Sequence, residues 1–282
     1  MNHIDRQQQP PQGAVEKRVL RRHGGQVAEA NDLVAAEVPV ALAYNGRAFA
    51  VMMATPGDLE DFALGFSLSE GIVAQVDELQ IESIDASLEG VSIALAIPPS
   101  RAAALEQRNR NLQGRSGCGI CGTASIEAVL RPPPPVGDGI AIAADALDRA
   151  LRELQARQPL NAATGATHAA GWADAGGRIA RVREDVGRHN ALDKLIGAML
   201  RAGDDPQSGF AVVTSRASYE MAMKAAQAGM PLLAAISAPT ALAIALADSA
   251  GLTLVGFARE HGHVVYSHAW RLPVDAKPGV AA

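Results

Sequence analysis

Between residues 210 and 259 the chain alternates aliphatic runs with helix-like stretches, in the order FAVVTS, SYEMAMKAAQAG, LLAAIS, TALAIALADSAG and LTLVGFAR. The three aliphatic runs are too short for helices, and they lack the polar alternation of a strand with one wet face. That is the pattern of strands buried on both sides. Parallel neighbours need a crossover of about a dozen residues, which the intervening stretches supply as helices. The β-α-β-α-β order predicts parallel strands sandwiched by helices, a three-layer α/β domain. Ligands of such sheets bind at the carboxyl ends of the strands, here residues 214–218, 237–240 and 257–262.

Upstream of this unit, DALDRALRELQAR reads as an amphipathic helix with Leu147, Leu151 and Leu154 on one face. THAAGWAD and RIARVRED form a hairpin-like pair around Gly176 and Gly177, followed by the helix ALDKLIGAMLRAG. The N-terminal half opens with VPVALAY and RAFAVMM joined by Asn45-Gly46, a strong hairpin signal because both residues tolerate positive φ. TPGDLEDFALGFSLSEG reads as a helix, with Pro56 near its start and Gly71 at its end. Strands ELQIESID and VSIALAIP, a polar helix over 101–112 and a short helix TASIEAVLR complete this half. Four prolines, Pro132 to Pro135, cannot be helical and make a stiff connector.

The predicted organisation is a polar tail over 1–16, an α+β domain over 17–130, a connector over 131–138, a three-layer α/β domain over 139–275 and a tail over 276–282. Hydrophobic residues at 48% supply a core, so wholesale disorder is not expected. Aromatics at 4% argue against base stacking, and a net charge of −5 argues against a phosphate-backbone partner, so no nucleic acid is expected. No apolar run reaches the roughly 18 residues that span a membrane, and the N-terminus has no signal-peptide core. A soluble cytoplasmic protein is expected.

Cys118 and Cys121 are the two cysteines of the chain. They sit in GRSGCGICG, where four glycines remove bulk and open the sulfur atoms to a docking partner. Arg115 and a following helix N-terminus favour thiolate, and such surroundings bring a cysteine pKa from about 8.5 toward ~3.5–7.5. A thiolate there can accept and pass on the outer sulfur of a persulfide. Three other readings stand beside this one. Structural zinc takes four N/S ligands, but no second Cys pair exists. The seven histidines (His3, His23, His168, His189, His261, His263 and His268) supply no matching signature, so no metal site is expected. A thioredoxin-like dithiol, or two incidental cysteines, remains open.

GCGICG, REDVGRHNALDKLIG (183–197), TSRASYEMAMKAAQAG, LTLVGFAR and TPGDLEDFALGFSLSEGI together resemble the formate dehydrogenase accessory sulfurtransferase family, FdhD, over residues 35 to 268 or so. The resemblance implies a sulfurtransferase. It would take sulfur from a cysteine desulfurase and deliver it to the molybdenum cofactor in its bis(molybdopterin guanine dinucleotide) form, for formate dehydrogenase. It implies a persulfide on Cys118, with Cys121 as its companion. It places a cofactor-binding segment at Phe257, Ala258, Arg259, Glu260, His261 and Gly262; many members have glycine where this chain has Glu260. It implies a C-terminal domain similar to the cytidine-deaminase fold, and a homodimer. Deaminase chemistry is not implied. His168-Ala169-Ala170 lacks the glutamate of H-x-E, and the parallel-sheet half contains no cysteine. A runner-up reading is a non-enzymatic chaperone that holds and presents the guanylated cofactor without carrying sulfur. A zinc-dependent nucleotide enzyme is a third.

Two further segments face alternative readings. In Asp185-Val-Gly-Arg188-His189-Asn190, Asp185 or Asn190 caps the next helix and Arg188 pairs with an acid, or the helix N-terminus with Arg188 and His189 holds phosphates. In Thr214-Ser215-Arg216-Ala-Ser218, hydroxyls and a guanidinium suit a phosphate, while capping alone explains Ser218. Met221 and Met223 read as core, and Trp172 and Trp270 as packing residues.

Overall fold

The computed structural model describes residues 10–110, 132–260 and 262–273. The first element lies in a segment with no apolar alternation. Strands β1 (Ala14–His23) and β2 (Gln26–Ala35) pair antiparallel in a sheet of their own. Gly24 and Gly25, both at positive φ, make the turn between them. The tail expected to reach residue 16 therefore gives way to a strand at Ala14. Most of the ribbon is wet on both faces, with Leu20 73% and Val27 63% exposed, so burial leaves no period-2 trace in its sequence.

A four-stranded sheet follows, in the order β4-β3-β6-β5, built from β3 (Val38–Tyr44), β4 (Arg47–Ala54), β5 (Gln80–Ala86) and β6 (Val91–Ala96). Asn45 and Gly46 turn the first hairpin at φ 48° and 74°. The central pair β3/β6 is parallel, and Val40, Leu42, Tyr44, Val91, Ile93 and Leu95 alternate onto one buried face. Helix α1 (Leu59–Ser69) covers that face through Phe62 and Phe66. Gly71, at φ 65°, follows its last turn. Helix α2 (Pro99–Arg110) closes the described part of this half.

The C-terminal half is a six-stranded sheet in the order β12-β11-β10-β9-β7-β8. β9 (Gly209–Val213), β10 (Leu232–Ala235) and β11 (Thr253–Arg259) run parallel. β7 (His168–Asp174) and β8 (Ile179–Asp185) add an antiparallel hairpin on one side, and β12 (Gly262–Val265) an antiparallel edge on the other. Alternate residues of β9 serve different cores. Ala211 and Val213 meet α5 (Arg188–Ala202), α6 (Tyr219–Gln227) and α7 (Ala241–Ala250). Phe210 and Val212 meet α3 (Ala144–Ala156) on the opposite face. A short helix, α4 (Pro159–Thr164), links α3 to β7. This is the three-layer arrangement expected of the alternation, beside a smaller α+β half.

Met221 is fully buried and Met223 packs against the same core. Trp172 is buried, but Trp270 is 52% exposed, with the Arg271 guanidinium 4.2 Å from its ring centroid. The segment after the prolines is not a free spacer: Arg271 donates to the carbonyls of Gly137 and Asp138 and ties it to the end of the fold.

The two halves meet where α1 crosses α5. An added Cβ at Gly65 would lie 1.7 Å from the Asp193 carbonyl oxygen, and one at Gly197 1.9 Å from that of Asp61. Only a pair of glycines lets the two backbones come this close. Around the crossing, buried charges join the halves. The Lys194 ammonium lies 2.7 Å from Asp185 and donates to the Thr55 carbonyl at 2.9 Å. Asp185 also accepts from the Thr55 N–H at 2.9 Å, and Asn190 donates to the Met53 carbonyl at 2.8 Å. Asp193 accepts from Ser69 at 2.6 Å and from Lys224 at 3.0 Å. Burial pulls the Lys224 ammonium down, but Asp193 and Glu70 outweigh it and hold it above the ordinary lysine value.

These contacts correct one expectation. Gly187, not Asp185 or Asn190, occupies the cap position of α5, and no side chain caps it. The carboxylate of Asp185 is turned instead toward Lys194, Asn190 and the N–H groups of Thr55 and Gly187.

Candidate functional site

The carboxyl ends of β9, β10 and β11 open into a pocket of about 450 Å³. Its walls come from five segments: His168 at the start of β7, Arg188 at the start of α5, Thr214, Ser215 and Arg216 after β9, Ile236 and Ser237 after β10, and Arg259 at the end of β11. The loops after β9 and β10 brace one another, with Thr240 N–H donating to the Ala217 carbonyl at 3.0 Å. The loop after β10 in turn lies on β11, where a Cβ at Gly256 would meet the Pro239 ring at 2.7 Å.

Three guanidiniums face this space without a carboxylate among the lining residues. Arg259 donates to the Ile236 carbonyl at 3.3 Å. Among the described residues, no ion pair is found for Arg188, Arg216 or Arg259, and the buried Nε of Arg188 has no hydrogen-bond partner. The pairing of Arg188 with an acid, one of the two readings of its segment, is therefore not what the structure shows. A buried guanidinium N–H left unsatisfied is costly, and convergent N–H donors with net positive charge are what a phosphate or carboxylate requires.

His189 is separated from Arg188 by its own bond. Its Nε2 lies 3.1 Å from Glu220, and it does not line the pocket. Glu220 also accepts from Ser218 at 3.1 Å, and the His189 contact is the main cause of a carboxyl pKa held down to about 2. Ser218 stands at the cap position of α6, but its hydroxyl serves Glu220 rather than a helix N–H. The Ser215 hydroxyl donates to the Arg216 carbonyl at 3.0 Å.

The segment expected to bind cofactor divides by position. Arg259 reaches the pocket. Phe257 adopts φ 50°, which breaks the β11/β12 register and leaves its ring 42% exposed. A left-handed aromatic residue persists only where its surroundings impose it; here its N–H is held by the Ser237 carbonyl at 3.2 Å. The side chain of Ala258 points into the core on the α3 face, so it can offer a ligand only its backbone. Glu260 is exposed at the turn and Gly262 begins β12. Cys118, Cys121 and His261 lie outside the described residues, as does the helix expected over TASIEAVLR. Among the described residues no group of three or more metal-ligating side chains occurs, and no helix is long and apolar enough to cross a membrane.

The pocket also contains residues that the site prediction left out. Thr214 and Ser237 sit on strand ends that the alternation had marked. His168 carried no such signal, because it begins an antiparallel strand. Burial and the neighbouring Arg188 and His189 push its imidazole below the ordinary histidine value. A second crevice of about 300 Å³ lies between the base of the ribbon and β8. Its charged groups are matched internally: Arg183 with Asp58, Glu184 with the N–H groups of Leu160 and Asn161, Lys194 with Asp185, and Arg157 with the Ile179 carbonyl.

The pattern of the FdhD/NarQ family matches residues 35–273. The chain belongs to that family. The Sulfur carrier protein FdhD of Xanthomonas campestris pv. campestris (strain B100) is 67% identical over 270 residues, covering 96% of both chains. That of Cupriavidus necator is 53% identical over 258 residues, covering 92% of this chain and 90% of its own. A solved structure assigned as a formate dehydrogenase accessory protein, from Desulfotalea psychrophila, superposes with a TM-score of 0.70 at 25% identity. It covers 92% of this chain and 99% of its own. The FdhD/NarQ segment thus takes in both halves and every residue of the pocket.

Proposed function

We propose that this chain is a cytoplasmic sulfurtransferase. It receives sulfur on Cys118 from a cysteine desulfurase and gives it to the bis(molybdopterin guanine dinucleotide) form of the molybdenum cofactor, in the service of formate dehydrogenase. The relatives' name as sulfur carriers supports the first part. The observation that carries the second is the pocket of Arg188, Arg216 and Arg259, cationic and with no carboxylate among its lining residues at the parallel strand ends. It suits the diphosphate of a guanine dinucleotide.

In the loading step the Cys118 thiolate attacks the outer sulfur of the donor's persulfide. A new S–S bond forms on Cys118, the donor's S–S bond breaks, and the donor leaves as its thiolate. In the release step the Cys121 thiolate attacks the Cys118 sulfur, forming a disulfide and expelling hydrosulfide for the bound substrate. The protein's two thiols are thereby oxidised by two electrons and the outer sulfur is reduced by two. A thiol reductant then restores the pair. The pocket holds the substrate throughout by its phosphates and does no redox work. A homodimer, as the resemblance implies, is part of this reading.

Intact-protein mass spectrometry after incubation with a cysteine desulfurase and cysteine tests the carrier step. The wild type is expected to gain one sulfur, and Cys118→Ala none. No gain on the wild type overturns the persulfide mechanism and leaves a chaperone of the guanylated cofactor, which the same pocket would serve.

A further inference from the structure

His168 is the one imidazole among the lining residues of the pocket. Its backbone is anchored on both sides. It pairs with Asp185 across β7 and β8, and the next residue, Ala169, exchanges hydrogen bonds with Thr214 at 2.8 and 3.0 Å. The ring is half-buried, and among the described residues no hydrogen-bond partner is found for it. From α5 it is faced by Arg188 and His189, from the loop after β9 by Arg216, and from the end of β11 by Arg259. The nearby carboxylates are already engaged: Asp185 by Lys194 and Asn190, and Glu220 by His189 and Ser218.

We propose that His168 takes up a proton when a phosphorylated ligand fills the pocket, and so becomes a fourth cation that favours ligands carrying two or more negative charges. This rests on the assignment of the pocket to the guanine-dinucleotide substrate. Burial, then the Arg188 guanidinium and His189, oppose a charge on this ring while the pocket is free of ligand, and they outweigh Asp185, which favours it. An anion of charge two or more arriving among the guanidiniums reverses the local field. An imidazole with no competing partner is then free to protonate and donate to a phosphate oxygen.

The sign follows from linkage. The ring's pKa is below the ordinary histidine value in the free pocket and is raised in the complex. Ligand affinity therefore gains as pH falls into the window between the two values. It is lost as pH rises through the value in the complex.

Isothermal titration of the full chain with GDP, in two buffers of different ionisation enthalpy near pH 7, counts the protons taken up. Wild type is expected to take up close to one proton more per GDP than His168→Gln, which keeps a donor amide without a titrating group. Its affinity advantage over the variant should shrink by up to about tenfold for each pH unit of rise across that window, and vanish above it. Guanosine, which carries no charge, should bring no extra proton. The imidazole C2–H resonance of the wild type should move toward its protonated position as GDP is added, a readout that needs no variant.

Equal proton uptake by the two proteins, or an unmoved resonance on saturation, overturns the role of His168 and leaves the pocket assignment standing. Uptake with guanosine equal to that with GDP overturns the charge dependence. Failure of GDP to bind the wild type at any pH overturns the pocket assignment, and this inference with it.

Discussion

Glu220 holds two positions at once, in a helix's first turn and against a histidine of the neighbouring helix. It stands in the first turn of α6, where a carboxylate complements the helix dipole. Its closer business is with His189 and Ser218, which it draws aside from the pocket. The carboxyl sits at about 2 in the folded protein against an ordinary 4.5. A depressed carboxylate contributes stability that is present above the unfolded value and lost as pH falls through the folded one. Urea unfolding of Glu220→Gln and wild type should therefore show a stability difference that shrinks between pH 4.5 and about 2. A difference that stays constant through that window would mean that the carboxyl is not depressed in the folded protein. His189 was a natural phosphate candidate from sequence, because it follows Arg188 at a helix N-terminus. What excludes it is a glutamate 31 positions later, and no local pattern carries that information.

At the level of elements, α1 is buried on nearly every side because it lies between the small sheet and α5. Phe62 and Phe66 face the sheet, while Gly65 faces Gly197 across the helix crossing. Both glycines sit in helices with negative φ, so they serve proximity and not turn geometry. Gly197→Ala would place a methyl group inside contact distance of the Asp61 backbone, which cannot rotate away. We expect a loss of at least about 3 kcal/mol in urea unfolding, the upper end of overpacking costs. A change below about 0.5 kcal/mol, the scale of neutral surface substitutions, would show that the helices part easily. The helix itself was legible from its apolar spacing and Gly71. Its second partner was not, since a glycine inside a helix reads only as a weak point. The β1/β2 ribbon escaped for the opposite reason. It is charged and wet on both faces, and only its Gly-Gly turn marks it.

For the molecule as a whole, the segment REDVGRHNALDK is chiefly a joint. Asp185, Asn190 and Lys194 grip residues 53–55, Asp193 grips Ser69, and Arg183 grips Asp61 at 2.7 Å. In sequence these residues look like caps and the polar face of a helix. They are buried because the glycine crossing brings a second helix and a β-strand end onto that face. Lys194→Met would leave Asp185 charged and buried without its main counter-ion. The expected cost is ~3–5 kcal/mol, seen as one shifted cooperative transition by both Trp172 fluorescence and far-UV circular dichroism. Two separate transitions in the wild type would mean that the halves are not locked. Between these clasps, only Arg188 of the segment reaches the pocket, so joint and site share a helix terminus.

Local order was available along the chain because it depends on neighbours a few residues apart. Asn45-Gly46 dictates a hairpin, aliphatic runs of strand length dictate buried parallel strands, and their order predicts the strand ends at residues 214–218, 237–240 and 257–262 as the face where a ligand would sit. Arg216 and Arg259 stand at those strand ends, and both line the pocket. The character of the pocket was decided elsewhere. Its charge is a sum over five segments between His168 and Arg259, and each guanidinium could as well have met a carboxylate. Whether it does depends on which side chains other contacts take away: Asp185 is drawn to Lys194 and Glu220 to His189. An electrostatic field acts through space, and only the folded arrangement specifies which charges are close enough to cancel.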